Sequence, residues 1–136
     1  MNPLITFPDP RLAVVRRLRE LLASRPEALG ATISVKAPKT ATDGQTFPYV
    51  QVRSDGRFRD ARLNGRATVR VLVWHRDEGR GEELAALCEA LLLAQGSSDT
   101  LRGCSPINGP LSTDDAEVGA PMCFFSVTAR LKPIQL

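Results

Sequence analysis

The sequence is poor in the residues that build reaction centres. It has one histidine, His75, in 136 residues. A metal site or a catalytic triad that uses imidazole must therefore be built around that residue. His75 follows a β-rich stretch and stands beside Arg76, whose charge opposes an imidazolium. Asp77 and Glu78 are near, but the chain has no second histidine and so no HxxxH spacing, and a structural role is expected. The cysteines, Cys88, Cys104 and Cys123, are three, an odd number, widely spaced and without a CxxC pair. That pattern argues against a zinc site or a disulfide framework and for free thiols in a reducing compartment. Gly103-Cys104-Ser105 is neither a nucleophile elbow nor a phosphate-binding loop, because no basic partner and no GKS/T follow. The adjacent carboxylates Asp114-Asp115 lack the ligand string of an EF-hand loop. Long apolar runs are missing too. The longest, Leu84 to Ala94, is broken by Glu89 and is too short to span a bilayer. The N-terminal MNPLITFPDP lacks the basic start and apolar core of a signal peptide. The expectation is a soluble protein made in the cytoplasm. It should touch no membrane and have no catalytic, metal or cofactor residues, since no paired acid and base is in view.

What is present is an ordinary globular composition, 43% apolar and 24% charged, enough for one domain over residues 1–136 with its own core. The net charge is +3, mildly basic and short of a polycationic tail. Residues 1–8 read as an extended arm, with Pro3 and Pro8 discouraging helix. Asp9-Pro10 is a helix start, with aspartate as the cap and proline in the first turn. From Arg11 to Ala23 the residues Val14, Val15, Leu18, Leu21 and Leu22 share a face opposite Arg16, Arg17 and Glu20, and Arg25-Pro26 ends the helix. Short strands are expected at Ala31–Ala37 and Tyr49–Arg53, then a turn at Ser54-Asp55-Gly56.

The chain is organised around residues 67–95, ATVRVLVWHRDEGRGEELAALCEALLLAQ. Val69, Val71 and Val73 keep the two-residue period of a strand. After Arg76–Gly79 the period changes to that of a helix, Gly81–Gln95, with Leu84, Leu87, Cys88, Leu91 and Leu92 on one face. Ala86, Ala90 and Leu93 form a second, small-residue stripe on its back, flanked by Glu82 and Glu89, which allows close approach of another surface. The strand grows out of a hairpin: Asn64-Gly65 reads as the turn between arms Arg57–Leu63 and Arg66–His75. The arms carry Arg57, Arg59, Arg62 and Arg66, with Asp60 among them, so the outer end projects from the core. Leu72, Val73 and Trp74 place the second arm centrally in the sheet. Residues 96–121 hold Gly, Ser, Pro and Asp in quantity and read as a long loop that orders on docking, with room for a short strand near Leu101 or Leu111. Met122–Leu131 is a half-buried strand, with Phe125, Val127, Ala129 and Leu131 inward and Phe124, Ser126, Thr128 and Arg130 outward. The fold class is α+β: a single mixed, mostly antiparallel sheet of about five strands, two helices packed on it, and a projecting hairpin.

The order of elements, carried by Pro48-Tyr49-Val50-Gln51-Val52, Thr68–His75, Gly81–Gln95 and Phe124–Pro133, resembles the tail terminator (tail completion) proteins of long-tailed bacteriophages, the lambda gpU-like group of minor tail proteins. No single residue carries the likeness. It implies a homo-oligomer, a hexameric ring at the head-proximal end of the tail tube. Such a ring stops tube polymerisation and meets the head–tail connector proteins, with DNA passing through the lumen without specific recognition. It implies a structural virion protein at the head–tail junction, assembled in the host cytoplasm. Candidate subunit or partner contacts are the Ala86/Ala90/Leu93 stripe, the arginine hairpin and the loop 96–121. On this reading Asp99, Asp114, Asp115 and Glu117 of a neighbour receive Arg57, Arg59 or Arg62. Two other readings stand beside it: a connector or stopper ring, and a small basic β-ribbon protein that lies along nucleic-acid phosphates.

Overall fold

The structure, a computed structural model, describes residues 2–136. The chain runs β1 (Ile5–Thr6), α1 (Pro10–Leu22), a single 3-10 turn at Pro26–Ala28, β2 (Thr32–Ser34), β3 (Tyr49–Ala61), β4 (Asn64–Trp74), α2 (Glu78–Gln95), β5 (Leu101–Asp115), β6 (Ala120–Leu131) and β7 (Ile134–Gln135). Five strands form one mixed sheet in the order β2-β3-β4-β6-β5, in which only the β2–β3 pair is parallel. The strands β1 and β7 form a separate antiparallel ribbon from the two ends of the chain. The fold is α+β, as the sequence implies.

Both helices pack on one face of the sheet. From α1 come Ala13, Val14, Val15, Leu18 and Leu22, and from α2 Leu84, Ala85, Cys88 and Leu92. They meet Val50, Val52, Val69, Val71, Val73, Phe125, Val127, Ala129 and Leu131 of the strands. Asp9 caps α1 by accepting from the backbone N–H of Arg11 at 2.9 Å, and Asp77 caps α2 by accepting from the N–H of Arg80 at 3.0 Å. The cap at Asp77 lets α2 begin at Glu78, one turn before the expected Gly81. On the other face a smaller cluster, Tyr49, Leu72, Trp74 and Ala120 with Phe47, Val118, Met122 and Phe124, fills one end. The segment before β3 covers it, through Ala41 N–H to Val118 O at 2.8 Å and Tyr49 OH to Lys36 O at 2.8 Å. That second cluster is why Leu72 and Trp74 are apolar on the side away from the helices.

Three local expectations are corrected. Ser54-Asp55-Gly56 is not a turn: β3 runs through it with a bulge, Ser54 opposite Val69 and Gly56 opposite Thr68. The hairpin turn is not Asn64-Gly65. Ala61 pairs with Asn64, so Arg62-Leu63 form the two-residue loop, and Gly65 is a strand residue opposite Arg59. Residues 96–121 are not a long loop. Leu101 to Asp115 form the edge strand β5, in register with β6 from Leu101↔Leu131 to Asp115↔Ala120. Loop remains only at 96–100 and 116–119. Glycine and proline are tolerated there because β5 lies at the edge and slips register three times, between Leu101/Gly103, Pro106/Asn108 and Asn108/Leu111.

Candidate assembly surfaces

The hairpin arginines do not form one stripe. In β3, Arg57 pairs with buried Ala67 and Arg59 with buried Gly65. Arg57 and Arg59 therefore point to the helix side, while Arg66 points to the other face. Three of them act inside the chain. Arg57 donates to Pro8 O at 3.4 Å, Arg59 to Ile5 O at 2.9 Å and Arg62 to Pro3 O at 2.6 Å. The guanidinium of Arg59 also lies 4.9 Å from the centre of the Phe7 ring. The N-terminal arm is thus laid along the hairpin and held by its carbonyls. Phe7 rests directly on Gly65: a Cβ added there would stand 2.7 Å from the Phe7 ring. So Gly65 is needed for a close approach rather than for a turn. Arg66 instead bonds Asp60 at 2.8 Å and stacks on Phe58, 4.5 Å from the ring centre. The arm contacts carry no side-chain pattern, which hides them in the sequence. The signals that do exist are Phe7 between prolines and a glycine in a strand.

A second surface combines α2 and β5. Ala86, Ala90 and Leu93 are all exposed on the back of α2, with Glu82 exposed beside them. Glu82 accepts from the Ser112 hydroxyl of β5 at 2.7 Å, so the stripe and the edge strand are neighbours. Residues 106–114 of β5 are all exposed. Ile107 and Leu111 among them are 48% and 51% exposed, unusual for apolar residues in a paired strand.

The four acidic candidates separate. Asp99 is exposed in the short turn before β5, in a groove with Arg16, Arg17 and Glu20 of α1. Asp114 is exposed in β5 and Glu117 in the β5–β6 turn. Asp115 is occupied within the chain. Its carboxylate accepts from Trp74 Nε1 at 3.0 Å and from the Val118 N–H at 3.2 Å, locking the turn to the second cluster. With Arg57, Arg59 and Arg62 holding the arm, the expected arginine–carboxylate pairing between neighbours is short of free arginines, while Asp115 alone of the four carboxylates is occupied and Asp99, Asp114 and Glu117 stay exposed.

His75 directly follows β4 and accepts the Asp77 N–H on Nδ1 at 3.0 Å. Burial holds its pKa below the ordinary value. It lines an open cleft of about 400 Å³ with Pro26, Glu27, Leu29, Pro48, Arg80 and Glu83. Burial pushes the Cys88 thiol up to about 12 and Cys104 up to about 11, which leaves both poor nucleophiles at neutral pH. Among the described residues no group of three or more His, Cys, Asp or Glu side chains is placed to hold a metal ion. Among the described residues no helix is long and apolar enough to cross a membrane. Compared with protein-family models and with curated proteins, the chain matches none.

Proposed function

We propose that this protein is a ring-forming structural subunit of a long-tailed phage, the tail terminator. On this reading it stops growth of the tail tube at its head-proximal end and meets the head–tail connector proteins, while DNA passes through its lumen. One observation carries the reading. The subunit has two dissimilar unpartnered surfaces at different places on the sheet. One is the hairpin end with the chain termini, where Leu4, Phe58, Leu63, Ile134 and Leu136 are exposed. The other is the face of Ala86, Ala90 and Leu93 with the exposed half of β5. Dissimilar surfaces make heterologous, head-to-tail contacts, and a closed ring needs contacts of that kind.

The test is to add purified protein to tail tubes polymerising in vitro. Capping that fixes tube length supports a terminator. Tubes that grow on unhindered, with the protein bound only to connector preparations, indicate a connector or stopper ring instead. The β-ribbon reading is less well supported, because three of its four arginines hold backbone carbonyls of the arm. Retention on duplex DNA that falls steeply with salt would favour it.

A further inference from the structure

The N-terminal arm is joined to the body only through Pro8-Asp9-Pro10, and Pro10 is the first residue of α1. The hydrogen bonds of the arm to the body run to the hairpin, through Arg57, Arg59 and Arg62, and to the C-terminal ribbon, where Ile5 pairs with Gln135, Thr6 with Ile134, and Leu136 N–H reaches Leu4 O at 2.9 Å. The cradle is prepared for this segment: a glycine where Phe7 lies, a guanidinium over the Phe7 ring, and three cations aimed at main-chain carbonyls. Yet the seated arm leaves apolar groups in water. Leu4 is 71% exposed and Leu136 77%, with Leu63 and Ile134 exposed beside them. A turn of the backbone at the Pro-Asp-Pro link carries residues 2–8 away as one extended unit, since the prolines prevent the segment from joining the helix. The same segment would make the same bonds in the cradle of a second copy. Between subunits already held together by other contacts, exchange would cost only the change at the link. It draws the neighbour's hairpin end against the body and covers the exposed leucines.

We propose that the arm is an exchanged strap: in the assembled ring each cradle holds the arm of the adjacent subunit. This rests on the ring reading above, and its test separates the two. The full-length chain carrying Ile5→Cys and Gln135→Cys, opposite one another in the β1–β7 ribbon, is assembled under reducing conditions, sized, oxidised and run on a non-reducing denaturing gel. The parent chain, whose Cys88 and Cys104 thiols are held protonated by burial, serves as the uncrosslinked control. Exchange gives a ladder of covalent multimers reaching the size of the ring. A ring that dissociates wholly to monomers carrying the internal disulfide overturns exchange and leaves the ring reading standing. A chain that stays monomeric when sized overturns both. If the first pair disturbs folding, Thr6→Cys with Ile134→Cys, the other registered pair, gives the same readout.

Discussion

Replacing Gly65 by alanine tests whether the arm, and not the hairpin turn, dictates that residue. The new Cβ would lie 2.7–2.8 Å from three carbons of the Phe7 ring, about 1 Å inside the ordinary carbon–carbon contact distance. The ring cannot slide freely, because Arg59 stands over it. Relieving such an overlap costs about 1–3 kcal/mol. That is comparable to what one cation–π contact at an exposed site, ~0.5–1 kcal/mol, and a few partly exposed hydrogen bonds of ~0.5–1.5 kcal/mol each supply. The arm should therefore lift while the core stays folded. With residues 2–7 deleted the obstacle is gone. The same substitution then gains the ordinary advantage of alanine over glycine in a strand, about 0.5–1 kcal/mol. The sign of the effect should reverse: destabilising in the full chain, stabilising in the arm-deleted chain. Urea melts of the four proteins measure this directly. Hydrogen exchange at the Leu136 amide, which bonds Leu4 O, should accelerate in the full-length variant. An effect of the same sign in both backgrounds, with Leu136 still protected, refutes the reasoning.

Other substitutions address the remaining features. Arg59→Glu removes the bond to Ile5 O and the contact with Phe7, so light scattering should show a weakened oligomer while the circular dichroism of the subunit is retained. Ala90→Glu lies on the exposed back of α2 and should change subunit stability by no more than about 0.5 kcal/mol while reducing assembly in the same assay. Asp115→Ala leaves the buried Trp74 indole N–H without its acceptor and should cost about 1–3 kcal/mol in a thermal or urea melt, with Asp115→Asn costing less. His75 has a folded pKa below the ordinary 6.5, so on acidification the unfolded chain takes up a proton that the folded chain refuses. Its contribution to stability is complete above pH 6.5 and declines as the pH falls through and below that value. His75→Gln should flatten that part of the stability–pH curve.

The parts of the fold that alternate strongly are legible in the sequence. Val69, Val71 and Val73, and Phe125, Val127, Ala129 and Leu131, all bury the predicted side against the two helices, because a one-residue slip would turn each set to solvent. Strand β5 has no such mark. Its residues 106–114 are exposed on both sides, so burial imposes no period, and its pairing is set by β6 alone. The bulge at Asp55 resembles a turn because Ser-Asp-Gly suits both. The Asn64-Gly65 signal misplaces the turn: Ala61 pairs with Asn64, the turn falls at Arg62-Leu63, and Gly65 lies in the strand against Phe7. The surface stripe of α2 was legible from spacing, and Ala86, Ala90 and Leu93 do face water. The role of Arg57, Arg59 and Arg62 was not, because a guanidinium that binds a backbone carbonyl selects no side chain in its partner.

The central claim is assembly of identical subunits through dissimilar surfaces, and the most direct measurement is the mass and symmetry of the purified protein. Sedimentation with negative-stain imaging should show a closed ring with six-fold symmetry, six copies of the 14.8 kDa chain. A single species at the subunit mass across micromolar concentrations, or a two-fold dimer burying like against like, would contradict it.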